Sequence, residues 1–175
     1  GVEKQGVDLF TLTNAKGMEV KITNYGGIIT SIRVPDRTGK MDNVTLGFSS
    51  LDDYRSPTYS GRYGALIGRY ANRIKNNTFA INGVTHRISR EAYVSKTSSN
   101  KPYDERVWVA TTRDGDEPEL VLNLLDRSGT MGFPGTVRVR VTYTLTRDNA
   151  LRIGYYAITD RETVISLTNH AYFNM

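Results

Sequence analysis

Val137-Arg138-Val139-Arg140-Val141-Thr142-Tyr143-Thr144-Leu145 decides the fold class. Val137, Val139, Val141, Tyr143 and Leu145 fall on one side of an extended chain, and Arg138, Arg140, Thr142 and Thr144 on the other. Side chains of a strand point alternately to its two faces, so this is the pattern of a half-buried antiparallel strand. After the turn residues Asp148-Asn149 the period resumes with Leu151, Ile153, Tyr155 and Ala157, which predicts a hairpin. A second hairpin is predicted where Asn82-Gly83 separates Phe79-Ala80-Ile81 from residues 84–88. A type I′ turn needs positive φ at both central residues, and Asn-Gly supplies it.

Outward from these hairpins, further strands are predicted at residues 19–25, 28–34 and 43–47, and at 106–112, 120–125 and 164–169. No segment sustains a period of 3.6. Many short strands separated by turns predict an all-β fold, an antiparallel β-sandwich with almost no helix, as a single domain over residues 1–175. Three long connections, at 49–63, 91–105 and 125–135, are the expected carriers of function.

Composition narrows the chemistry. The 175 residues contain no cysteine, which excludes disulfide scaffolds, Cys-ligated zinc, iron–sulfur clusters and thiol catalysis. Two histidines are present, His86 and His170, so a catalytic imidazole is one of them. An aromatic content of 10% and the lack of low-complexity runs argue against disorder. No stretch reaches the ~20 consecutive apolar residues of a membrane-spanning helix, and no membrane partner is expected. The net charge is +5. Its positive groups (Arg33, Arg37, Arg55, Arg62, Arg69, Arg73, Arg87 and Arg90 among them) are scattered singly and read as a solvated face. Aromatic and basic residues do not interleave into a nucleic-acid stripe, so no nucleic-acid partner is expected. The first residue is Gly1 and no charged-then-apolar leader follows, which implies a removed leader or an internal start.

Three clusters are candidates for chemistry. In Ile67-Gly68-Arg69-Tyr70-Ala71-Asn72-Arg73-Ile74 an amide and a guanidinium stand side by side, able to direct several hydrogen bonds at hydroxyl groups; the plainer alternative is a turn with one surface Arg. In Ser166-Leu167-Thr168-Asn169-His170-Ala171-Tyr172-Phe173-Asn174 a histidine ends an apolar strand between two Asn and two aromatics. Imidazole exchanges protons near neutrality and aromatic faces suit a pyranose; the alternative is a satisfied buried histidine. Gly129-Thr130-Met131-Gly132-Phe133-Pro134-Gly135 lacks the Lys-Ser/Thr ending of a phosphate loop and reads as structural. His86, mid-strand after a turn, also reads as structural. Asn43-Val44-Thr45 and Asn76-Asn77-Thr78 fit the N-glycosylation pattern, which matters only in a secreted protein.

Taken together, these clusters resemble the aldose 1-epimerase (galactose mutarotase) family. Gly68-Arg69-Tyr70-Ala71-Asn72-Arg73-Ile74 resembles its G-R-x-A-N-R-I segment. Leu167-Thr168-Asn169-His170-Ala171-Tyr172-Phe173-Asn174 resembles L-T-N-H-x-Y-F-N, and Gly132-Phe133-Pro134-Gly135 with Tyr143-Thr144-Leu145 resembles G-x-P-G…Y-x-L. Asn24-Tyr25-Gly26-Gly27 and Gly47-Phe48 near Tyr54 also fit, in the family's order. The resemblance implies a supersandwich fold, a cytoplasmic protein, and interconversion of the α and β anomers of free aldoses such as galactose and glucose. That reaction is proton transfer alone and implies no cofactor and no metal. By resemblance, His170 is the acid that protonates the ring oxygen, and Asn72 and Arg73 bind sugar hydroxyls.

Two departures accompany the resemblance. The family's second histidine lies in an L-H-G-G segment shortly before F-D-x-x-x-W, which Tyr103-Asp104-Glu105-Arg106-Val107-Trp108 matches. The L-H-G-G position here holds Lys96-Thr97-Ser98-Ser99, so Thr97 replaces the histidine. Thr97 keeps a hydroxyl for substrate binding and loses the titratable group. The family's chains are also much longer, and its catalytic Glu base and a sugar-binding Asp lie in the part with no counterpart here. The expected partners are a monosaccharide and a second chain carrying the C-terminal half of the fold. The alternative is a non-catalytic sugar-binding or storage protein on the same scaffold, which the loss of the histidine favours.

Overall fold

The computed structural model describes residues 6–56, 58, 59, 61–89 and 101–174. Two four-stranded antiparallel sheets dominate it. In the first, β1 (Leu9–Thr13), β2 (Glu19–Thr23), β3 (Ile28–Pro35) and β4 (Met41–Asn43) follow in chain order, with one register shift between Lys21 and Ile22. The chain then forms a short helix, α1 (Leu51–Arg55), and four short strands. These are β5 (Leu66–Ile67), the hairpin β6 (Thr78–Ile81) and β7 (Val84–Arg87), and, near the end of the chain, β12 (Thr168–Asn169). The second sheet has the order β11-β10-β9-β8, built from β8 (Val109–Arg113), β9 (Glu119–Asp126), β10 (Val137–Leu145) and β11 (Leu151–Thr159).

The alternation in β10 sets the core. Val137, Val139, Val141, Tyr143 and Leu145 are all buried, while Arg138 and Arg140 are exposed. Leu120, Leu122 and Leu124 of β9 lie on the same face and pack with Val20, Ile22, Ile29 and Ile32 of the first sheet. Each such side chain contributes about 1.5–3 kcal/mol by leaving water. Trp108 and Tyr103 close the same core. The Tyr143 hydroxyl donates to the Gly27 carbonyl at 2.7 Å and ties the sheets together.

Both predicted hairpins form. β10 pairs with β11 from Val137↔Thr159 to Leu145↔Leu151, and β6 pairs with β7 around Asn82-Gly83, both with positive φ. Other elements differ from expectation. The strand expected at 43–47 is shifted to β4, because beyond Asn43 the chain turns to pair with 172–174: Thr45 bridges Phe173, the Leu46 N–H donates to Tyr172 O at 3.0 Å and the Asn174 N–H to Val44 O at 2.9 Å. The segment expected at 164–169 is reduced to a bridge at Ser166 and the two residues of β12. Inside the expected connection 49–63 sits α1, whose N-terminus is capped by the Ser50 hydroxyl accepting from the Asp53 N–H at 3.2 Å. β11 keeps its alternation but not the burial it predicts. It is an edge strand whose inward Tyr155 is 40% exposed, and Leu151 and Ile153 line an open apolar groove with Met18, Ile29, Val34 and Phe173. No helix among the described residues is long and apolar enough to cross a membrane.

Candidate functional site

The ribbon of β5 and β12 brings the two strongest sequence clusters side by side. Thr168 pairs with Ile67 and Asn169 with Leu66. Backbone bonds extend the ribbon both ways: Ala71 N–H to Ser166 O (2.8 Å) at one end, His170 N–H to Ala65 O (2.8 Å) at the other. Beyond β5 the chain turns at Asn72, whose φ of 64° is a left-handed conformation that Asn tolerates better than most residues. Asn72 and Arg73 are exposed and border a cleft whose other walls include Asp104, Met131 and Phe133.

Arg62 and Asp104, both on this cleft, form an ion pair. Burial pushes the Asp104 carboxyl above the usual carboxylate range, with the Arg62 guanidinium opposing the shift. Its Oδ1 is buried without a hydrogen-bond partner among the described residues.

His170 occupies the opposite end of the ribbon and is not among the residues lining the cleft. It is half-buried, with its ring 5.0 Å from that of Tyr172, which in turn lies 5.1 Å from Tyr63. Tyr63 continues into an edge-to-face set with Tyr59, Phe48 and Tyr54. Asn169 fixes the backbone on both sides: its Nδ2 donates to Gly64 O at 2.7 Å and its Oδ1 accepts from Ala171 N–H at 2.9 Å. The structure thus places Asn72 and Arg73 in the cleft and His170 outside it, at the aromatic end of the ribbon, and does not gather all three in one cleft. Thr97 lies outside the described residues.

Sequence reasoning missed a buried charge cluster behind the cleft. Arg69, counted there among scattered surface cations, is 1% exposed. Its Nε donates to Asp126 Oδ2 at 2.8 Å and its Nη1 to Pro134 O at 2.6 Å and Thr163 Oγ1 at 3.2 Å. Asp126 also accepts from the Tyr103 hydroxyl at 3.0 Å and from Arg106 Nη1 at 3.0 Å. Burial and the Asp126 charge push the Tyr103 hydroxyl far above its ordinary pKa. The partners of Arg69 are dozens of residues away, and no local signal separates it from the exposed Arg73.

The 129–135 loop, read as structural, also supplies cleft wall through Met131 and Phe133. His86 is half-buried with its ring stacked 5.4 Å from Phe79, a packing role. Asn43 and Asn76 are both exposed, and the Asn43 amide is engaged, Nδ2 donating to Thr45 O at 3.0 Å. No group of three or more His, Asp or Glu side chains able to hold a metal occurs among the described residues.

Comparison with known proteins gives a consistent result. The sequence model of aldose 1-epimerase matches residues 8–175. An aldose 1-epimerase of Haemophilus influenzae is 38% identical over 167 residues, covering 95% of this chain and 47% of the relative. The galactose mutarotase of Homo sapiens is 32% identical, covering 90% and 45%. Among solved structures, an aldose epimerase homologue from C. elegans superposes with a TM-score of 0.84 at 27% identity, over 97% of this chain and 51% of that one. A galactose 1-epimerase from Lactobacillus acidophilus gives 0.83 at 25% identity, over 100% and 51%. The chain thus spans about half the length of the relatives it matches.

Proposed function

The chain belongs to the aldose 1-epimerase family, and on that premise we propose that it supplies one half of a site interconverting the anomers of a free aldose such as galactose. The observation that carries this is the β5–β12 ribbon, which joins an amide–guanidinium pair in a cleft to a half-buried histidine among aromatic rings. Asn72 and Arg73 offer donors and an acceptor to sugar hydroxyls and fix the pyranose. His170 protonates the ring oxygen as the C1 hydroxyl gives up its proton; the C1–O5 bond breaks and an open-chain aldehyde forms. Rotation about C1–C2 and re-closure on the other carbonyl face inverts C1, with the proton returned to His170 and no net change in the protein. Thr97 binds a hydroxyl at the position where the family carries a second histidine.

The base that takes the C1 proton comes from the C-terminal half of the fold. The open apolar groove beside β11 and β3, and the exposed edge of β11, support packing of that half there, since uncovered strand edges and apolar faces invite association. Thr97 in place of a histidine favours a second reading, a sugar-binding protein on the same scaffold that does no chemistry.

Polarimetry of freshly dissolved α-galactose separates the two. Acceleration of the drift to equilibrium by the protein in its native assembly supports epimerisation. Binding of galactose with the spontaneous rate unchanged supports the second reading, and neither effect refutes both.

A further inference from the structure

We propose that Asp126 is a positioning residue, whose buried carboxylate locks together three of the segments that wall the cleft. The proposal rests on reading the cleft as a sugar site. The first segment, 68–74, carries Asn72 and Arg73 and is held through Arg69, which donates Nε to Asp126 Oδ2 at 2.8 Å and Nη2 to the Asp126 carbonyl at 3.3 Å. The second, 102–104, carries Asp104 and is held through the Tyr103 hydroxyl on the same Oδ2 at 3.0 Å. The third, 131–134, carries Met131 and Phe133 and is held because Arg69 Nη1 reaches the Pro134 carbonyl at 2.6 Å while its guanidinium lies 5.5 Å from the Phe133 ring centre. Arg106, bonded to the other oxygen, Oδ1, at 3.0 Å, balances the carboxylate from the solvent side.

The chemistry of the cluster favours geometry as its purpose. A buried ion pair is a poor source of net stability, because desolvation offsets most of the attraction. A planar guanidinium on a carboxylate is directional, however, and fixes orientation as well as distance. Here one carboxylate coordinates donors from segments far apart in sequence, and each of those donors lies within a few residues of a cleft-wall side chain. Asp126 touches no cleft volume itself, so its effect on ligand passes through Arg69 and Tyr103.

The test compares Arg69→Lys, Tyr103→Phe and the core variant Val141→Ala in the native assembly. Two readouts are used: hydrogen exchange by segment, and the Kd for galactose. Arg69→Lys keeps the buried charge and loses the planar fork; it should speed exchange in 70–74, 101–106 and 129–135 together and raise Kd about tenfold. Tyr103→Phe, which leaves both charges paired, should move both readouts the same way by less, and it carries the test alone if Arg69→Lys does not fold. Val141→Ala should lower the melting temperature and leave Kd and the relative exchange of those segments unchanged. Faster exchange confined to the substituted segment, or an unchanged Kd in both cleft variants, overturns the positioning role. If the unaltered protein does not bind galactose, the sugar reading fails, and exchange alone still decides whether the three segments move as one.

Discussion

Replacing Tyr143 by Phe removes a single oxygen from the centre of the molecule. The ring keeps its place, because the side chain is fully buried within the core shared by both sheets and no volume is vacated beyond the hydroxyl. What is lost is the 2.7 Å bond to the Gly27 carbonyl, which links β10 to the turn between β2 and β3, together with the hydroxyl's hydrogen bond with the Asn169 side chain. A buried acceptor stripped of its donor costs about 1–3 kcal/mol, more than the ~1 kcal/mol net worth of an average hydrogen bond. In a chain of 175 residues each kcal/mol lowers the melting temperature by about 2–4 °C. The assay is urea unfolding followed by the fluorescence of Trp108, the one tryptophan, which is wholly buried. The midpoint should fall with the slope unchanged, since the surface exposed on unfolding is the same. Tyr156→Phe is the control: its side chain is 59% exposed on β11, and the stability should stay within about 0.5 kcal/mol. Equal midpoints for Tyr143→Phe and the unaltered protein would refute the sheet-to-sheet bond.

Gly64→Ala should destabilise strongly, because φ is +71° and a Cβ would sit 2.1 Å from the Ile29 carbonyl oxygen. The left-handed backbone alone costs about 1–2 kcal/mol before the clash, and a melting curve matching the unaltered protein would contradict it. Burial raises the Asp104 pKa, so between the ordinary carboxylate value and the raised one the folded state binds more protons than the unfolded state. The contribution of Asp104 to stability is therefore present at low pH and lost as pH rises through that window. Melting temperatures of the unaltered protein should accordingly gain on those of Asp104→Asn as pH is lowered from neutrality, and parallel curves would count against it. His170→Asn should slow galactose mutarotation about 10²-fold or more with folding intact, as for loss of a general acid; an unchanged rate would remove His170 from the chemistry.

What was legible in the sequence follows the range of the forces involved. β10, β11 and the β6–β7 hairpin were readable because alternation and Asn-Gly are local properties of the chain. Two further signals were local and overlooked: Phe10 and Leu12 alternating in β1, and Ser50 three residues before Asp53 as a capping pair for α1. β5 and β12 were not readable as a pair, since two residues have no period and their pairing is set by tertiary contacts. Asn72, Arg73 and His170 were singled out by motif. The Arg69–Asp126 pair was not, because its partners are 57 residues apart in sequence and Arg burial is decided by a carboxylate that only the fold brings near. The open groove beside β11 was hidden for a related reason: alternation tells which side chains share a face, and not whether anything covers that face.

The most direct test of a single sugar site on the β5–β12 ribbon is a galactose titration of the native assembly followed by NMR. The amide signals of Asn72 and Arg73 and the imidazole signals of His170 should shift along one saturation curve with a common Kd. Shifts at Asn72 and Arg73 while His170 stays silent, or two unrelated curves, would contradict a shared site.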